Sequence, residues 1–172
     1  MTEKDIVKIL DDFYFKQVRF CINNAYIFKH NWESDFFILR KNGFCNEYEI
    51  KISKQDFKND FKKDIKRQIL KSGSFVYKHR KFSHWEDSIK AIYNNIEEIK
   101  KWNLRPNKFF YAVPENLIKL EDIPEYAGLV YCKQNGDLIV VKEAPFLHKE
   151  KLTDKLINIL CDKFYWRSRD KR

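Results

Sequence analysis

Residues 47–51 read Glu47-Tyr48-Glu49-Ile50-Lys51, and Ile52 continues the alternation before Ser53 breaks it. Side chains along a strand point to alternate faces, so Tyr48, Ile50 and Ile52 form an apolar face and Glu47, Glu49 and Lys51 a charged one. An earlier extended run, Asp35-Phe36-Phe37-Ile38-Leu39, opens with an acid. Asp35 and one oxygen of Glu49 suit a hard cation, which takes oxygen ligands and keeps several waters. Such a cation lowers the pKa of a bound water and neutralises charge on a phosphodiester. Lys51, on the same face, can orient that water or stabilise the transition state. Glu47 shares this face and Glu33 points the same way as Asp35, so both are further candidate acids.

A plainer reading also fits: the polar outer face of an antiparallel ladder, with cross-strand Glu–Lys pairs worth roughly 0.2–1 kcal/mol each. Hairpin register separates the two. A two-residue loop at Asn42-Gly43 pairs 41 with 44 and sets Asp35 opposite Ile50, on the apolar face. Only a three-residue loop with Gly43 in the left-handed region, or a bulge near Gly43–Cys45, brings Asp35 onto the face of Glu49.

The elements that must position these residues follow from periodicity. Thr2 with Asp5 forms a capping box before a helix at about 3–16, with Ile6, Leu10 and Phe13 at helical spacing. Extended segments follow at about 18–30, 34–41 and 44–52. Ser53 caps a helix with a Phe57, Phe61, Ile65, Ile69 stripe, ended by Ser72-Gly73-Ser74. Lys54, Lys58, Lys62 and Lys66 recur every four residues beside it. This is a solvated face or, since like charges at that spacing repel, a ridge for phosphates. The segment 73–83 is basic and includes Tyr77-Lys78-His79-Arg80-Lys81, where Tyr77 and Phe82 could stack on bases. Ser83 and Glu86 then cap a helix bearing Trp85, Ile89, Ile92, Ile96 and Ile99. Strands are expected at 109–113, 127–132 and 137–143, with a short helix at about 115–120 and a last helix at about 148–165. The order predicts a single α/β domain with a central mixed β-sheet flanked by helices.

At 172 residues the chain is long enough for one core, and 44 % of it is hydrophobic. The net charge of +9 favours a polyanionic partner, although lysine-rich composition alone produces the same sum. Cys21, Cys45, Cys132 and Cys161 stand far apart, which excludes the usual zinc spacings and a disulfide framework. His79 and His148 have no metal-spaced partner and read as surface or phosphate contacts. The N-terminus lacks a signal-peptide pattern and no apolar run approaches a membrane span, so a cytoplasmic protein without membrane contact is expected.

Trp32-Glu33-Ser34-Asp35, the run Glu47 to Ser53, and Asp56-Phe57 with Asp60 resemble the PD-(D/E)XK nuclease superfamily, and more narrowly the MmcB-type DNA repair nucleases and related phage proteins. Lys108 to Pro114, Ala127 to Tyr131 and Lys142 to Pro145 are similar to that family's later strands. The likeness spans about 32–148. It departs where the helix after the motif runs on through 65–71, so that Lys78-His79 comes late. The resemblance implies a restriction-endonuclease-like core and a DNA phosphodiesterase, with Mg2+ as cofactor and Mn2+ able to substitute. Asp35 and Glu49 would be metal ligands, the Ile50 carbonyl would complete the shell, and Lys51 would be the catalytic lysine. Lys54, Lys58, Lys62, Lys78 and His79 are then the expected DNA contacts. Asp56, Asp60 and Glu3 are left without assigned roles. A catalytically inactive DNA-binding module, or a module for a protein partner, would keep the same fold.

Overall fold

The computed structural model describes residues 1–28, 32–73 and 105–169. Helix α1 (Glu3–Tyr14) starts at the expected capping box: Thr2 Oγ1 accepts from Asp5 N and Asp5 reaches back to Thr2 N. The strands are β1 (Val18–Ala25), β2 (Ser34–Arg40), β3 (Cys45–Ile50), β4 (Lys108–Pro114), β5 (Ala127–Cys132) and β6 (Leu138–Lys142). Helices α2 (Lys54–Asp60) and α3 (Asp64–Ser72) lie between β3 and β4, and α4 (Thr153–Arg169) follows β6. Where a short helix at about 115–120 was expected, a single 3-10 turn forms at Leu120–Asp122.

One six-stranded sheet runs β1-β2-β3-β4-β5-β6. The β3–β4 and β4–β5 pairs are parallel and the other three antiparallel. The result is a mixed sheet flanked by helices, an α/β fold. The expected helix at 84–99, its Ser83–Glu86 cap, Trp85, Lys78 and His79 lie outside the described residues.

Each face of the sheet has its own cover. The apolar stripe of α1 (Ile6, Ile9, Leu10, Tyr14) packs on Phe36, Ile38, Tyr48, Ile50, Phe110 and Ala112. Within this layer the Tyr48 and Phe110 rings stack at 5.1 Å and the Tyr48 hydroxyl donates to Tyr14. On the opposite face Leu152, Leu156 and Leu160 of the α4 region cover Phe37, Leu39 and Cys45. Phe57 and Leu70, from α2 and α3, join Phe109, Tyr111 and Leu129. Glu47 and Glu49 of β3 fall between those two clusters. All six residues of β3 are buried, so the outer surface ladder is not what forms; the acids line a polar seam inside the fold.

The expected continuous helix from Ser53 to Ser72 is interrupted. Phe61, Lys62 and Lys63 donate back three residues, to Lys58, Asn59 and Asp60, the tighter 3-10 pattern. No glycine or proline marks the break. It is fixed by Asp60, which is buried, accepts from the Tyr111 hydroxyl at 2.9 Å and pairs with Lys63 at 2.9 Å. The shift changes which residues face inward: Phe57, Ile69 and Leu70 are buried, while Ile65 is 41 % exposed. Gly73 ends α3 in the left-handed region as the sequence predicts, at φ 74°.

Candidate active site

The hairpin resolves the register question in favour of a shared face. Arg40 N bonds Phe44 O, Gly43 N bonds Arg40 O, and Gly43 adopts φ 89°, so 41–43 form a three-residue loop with the glycine left-handed. The ladder pairs Leu39 with Cys45, Ile38 with Asn46, Phe37 with Glu47 and Phe36 with Tyr48. One further step sets Asp35 opposite Glu49. A Cβ on Gly43 would also lie 2.9 Å from Thr153 Oγ1, because Leu152 N clasps Gly43 O at the start of α4.

Asp35 Oδ2 accepts from Ile50 N at 2.7 Å. Glu49, 2 % exposed, is surrounded by three ammonium groups. Lys51 Nζ donates to Oε1 at 2.8 Å, Lys63 Nζ approaches the same oxygen at 3.3 Å, and Lys66 Nζ donates to Oε2. Lys51 further faces Asp56 at 3.6 Å and Asp60 at 3.9 Å. Glu47 is wholly buried and its Oε1 accepts the Trp32 indole N–H at 2.9 Å.

The electrostatics follow from this arrangement. Burial, then repulsion from Glu49, pushes the Asp35 carboxyl up to about 7. Burial raises Glu47 to about 7 against the pull of Lys66 and the Trp32 hydrogen bond. Burial would raise Glu49 as well, but Lys66 and Lys51 together hold it well below the usual carboxylate range. Burial opposes the charge on Lys51, and Glu49 outweighs it, so its ammonium holds its proton more tightly than an ordinary lysine.

Among the described residues no group of three His, Cys, Asp or Glu side chains gathers to hold a metal. The donor set is a pair, Asp35 and Glu49, and magnesium sites commonly use one or two carboxylates with waters. The pair fits a divalent cation in its chemistry. The Asp35 carboxyl is driven upward by burial and by the negative charge of Glu49 beside it, and a cation between them relieves that repulsion. Glu33 is exposed ahead of β2, outside this cluster.

Lys54, Lys58 and Lys62 are exposed, as a contact ridge requires, but Lys66 is not part of it. The break before α3 turns Lys66 inward, 3 % exposed, onto Glu49 and over the rings of Trp32 and Phe109 at 5.8 and 5.1 Å. His148 is also corrected from a surface residue: it is half-buried, with Nε2 2.8 Å from the Arg105 carbonyl and Nδ1 3.3 Å from the Asn107 amide. Lys63 is a site neighbour that the sequence pattern did not single out, and Trp32 entered there only within the family-like run, without a role. Their side chains reach the acids only through the break at 61–63 and the approach to β2. The one signal available was the Lys63–Lys66 spacing of three, which puts both on one helical face.

No family model matches the chain, and no curated protein matches it. Among solved structures it is similar to the SPO1766 protein of unknown function from Silicibacter pomeroyi. The two share 18 % identity over 87 % of this chain and 76 % of that one, with a TM-score of 0.55. At that identity the likeness establishes a shared fold. Among the described residues no helix is long and apolar enough to cross a membrane.

Proposed function

We propose that the chain is a magnesium-dependent DNA phosphodiesterase of the PD-(D/E)XK type, built on a restriction-endonuclease-like core. The observation that carries this reading is the left-handed Gly43 turn. It sets Asp35 on the acid face of β3, bonded to Ile50 N, while Lys51 sits on Glu49. Asp35 and Glu49, with the Ile50 carbonyl, would hold Mg2+ or Mn2+. Such an ion supplies charge neutralisation at a phosphate and lowers the pKa of a bound water.

The protein's own groups do the rest. Lys51 is tied to Glu49, Asp56 and Asp60 and keeps its proton, so it serves as a fixed positive charge for the developing phosphorane oxygens and not as a base. The apolar clusters on either side of the seam limit water around it, which strengthens that charge. Exposed Lys54, Lys58 and Lys62 offer the backbone phosphates a sequence-independent grip.

One observation favours a second reading, the catalytically inactive DNA-binding module: both Glu49 oxygens already have ammonium partners. Incubating the full chain with linear, nicked, flapped and single-stranded DNA plus Mg2+ or Mn2+ separates the two. Cleavage that is lost in Lys51→Ala while binding persists supports the phosphodiesterase. Salt-sensitive binding without cleavage of any substrate supports the module, and neither binding nor cleavage overturns both.

A further inference from the structure

Glu49 has three ammonium neighbours, while Glu47, two residues back on the same buried face, has an oxygen with none. Glu47 Oε1 accepts from Trp32, but Oε2 is buried and has no hydrogen-bond partner among the described residues. The nearest donor is the Ser34 hydroxyl, which acts on Glu47 as a weak hydrogen bond favouring its charged form but falls short of full hydrogen-bond geometry, so that both oxygens stay incompletely satisfied. A buried carboxylate oxygen in that condition is costly and calls for an explanation. Lys66 stands beside it. The Trp32 ring that bonds Glu47 through its N–H also lies under Lys66 Nζ, and Phe109 lies under the same ammonium. With a 3 % exposed side chain, Lys66 has no path to water that keeps its charge solvated.

A divalent cation that binds Asp35 and Glu49 must share Glu49 with these ammonium groups, and like charges on one carboxylate repel. Lys63 is half-exposed and can swing to solvent. Lys66 cannot, and stranding a buried ammonium without an anion is strongly unfavourable. Asp60 Oδ2 accepts from Tyr111, and its Oδ1, also buried without a hydrogen bond, is ion-paired with Lys63 at 2.9 Å and with Lys51 at 3.9 Å. Glu47 is the buried acid that feels the Lys66 charge and whose Oε2 has neither a hydrogen bond nor an ion pair among the described residues.

We propose that Lys66 is a displaceable counter-cation: it neutralises Glu49 in the metal-free protein and transfers to Glu47 Oε2 when a divalent cation binds Asp35 and Glu49. This rests on the metal-binding reading of Asp35 and Glu49. It gives Glu47 a distinct role as the second berth of the lysine and not as a further ligand. Metal affinity is then set by a competition inside the seam, in which Lys66 weakens binding and Glu47 restores part of it.

Mn2+ binding to the full chain, read from the electron-paramagnetic signal of free Mn2+ and by calorimetry, tests the scheme without any activity measurement. Lys66→Met removes the competitor and tightens Mn2+ binding by roughly tenfold or more. Glu47→Gln removes the berth and weakens it by a similar factor. In the double variant the Glu47→Gln effect disappears, because no lysine is left to relocate. A Glu47→Gln loss of the same size in the Lys66→Met background overturns the proposal, since Glu47 then acts on the metal directly. Equal affinity of wild type and Lys66→Met overturns it while leaving the metal site intact. If Lys66→Met does not fold, Lys66→Gln takes its place in the same cycle, and a Glu47→Gln loss that persists in that background, or unchanged affinity in Glu47→Gln itself, overturns the proposal. Absence of Mn2+ binding in wild type and in Lys66→Met overturns the metal-binding reading itself.

Discussion

Replacing Glu47 by glutamine is expected to make the metal-free protein more stable at alkaline pH and to flatten its stability profile. Glu47 is fully buried on β3 and its carboxyl is raised by that burial from 4.5 to about 7. The sign is that of an acid whose folded pKa exceeds its unfolded one. The folded state binds the extra proton between those values, so stability is fully present below about 4.5 and is lost as pH rises through about 7. At about 1.4 kcal/mol per unit, the loss comes to about 3 kcal/mol above pH 7. A glutamine side chain cannot ionise, and its amide oxygen can still accept the Trp32 N–H. The variant should therefore gain about 1–3 kcal/mol over wild type near pH 8 and nothing near pH 4. Asp35 contributes a ramp of the same sign, from 3.8 to about 7, so the variant keeps part of the slope. Urea unfolding across this range, with a chelator present, measures both curves. If wild type and Glu47→Gln run parallel from acid to alkaline pH, Glu47 does not ionise at a cost inside the fold, and the electrostatic account of the seam fails.

Gly43→Ala should destabilise by about 1–2 kcal/mol from its left-handed backbone alone, with more from the 2.9 Å approach to Thr153 Oγ1. If the register slips, it should also abolish the mutual influence of Asp35 and Glu49, visible as an Asp35 titration moved towards ordinary carboxylate values by NMR. Gly128→Ala places a Cβ 2.4 Å from Phe110 Cδ1 and 2.7 Å from Ala144 N. It should cost about 1–3 kcal/mol or more in urea unfolding, and no loss would mean that β5 can part from its cover freely. Replacing Lys54, Lys58 and Lys62 together by Ala should lower the dependence of DNA affinity on log salt by about 0.9 per lysine that contacts phosphate. An unchanged slope removes this ridge from the DNA interface.

Much of the frame was legible because it depends on local rules. The Thr2 and Ser53 caps, the opposite faces taken by Tyr48 and Glu47 in β3 and the left-handed Gly43 are each set by a few neighbouring residues, whereas β3 ends at Ile50 and Ile52, expected on the apolar face, is 47 % exposed. The register itself stayed open in the sequence between a two-residue and a three-residue loop, and the left-handed Gly43 decides it by adding the third loop residue that brings Asp35 round. What stayed hidden depends on distant partners. The burial of Glu47 and Glu49 required strands on both sides of β3, one of them more than fifty residues away, and helices over each face. The helix break required Tyr111 of β4 to bind Asp60. His148 turned inward because Arg105 and Asn107, neither near it in sequence, supply its polar partners.

The lysines show most sharply how one distant contact redirects chemistry. Lys54, Lys58, Lys62 and Lys66 have the same spacing throughout, and a continuous helix would have presented all four to solvent. The tightened turn at 61–63 sends the last of them into the core against Glu49. Such a cluster is a poor way to hold a protein together. Buried ion pairs seldom stabilise more than apolar side chains of similar size would, and here well-packed apolar clusters flank the seam on both sides. Apolar filler along β3 would join those clusters into one continuous core. A seam of several acids and three lysines is thus better explained by what it can bind than by what it contributes to folding. The exchange of one cation for another at Glu49 is the direct measure of that distinction.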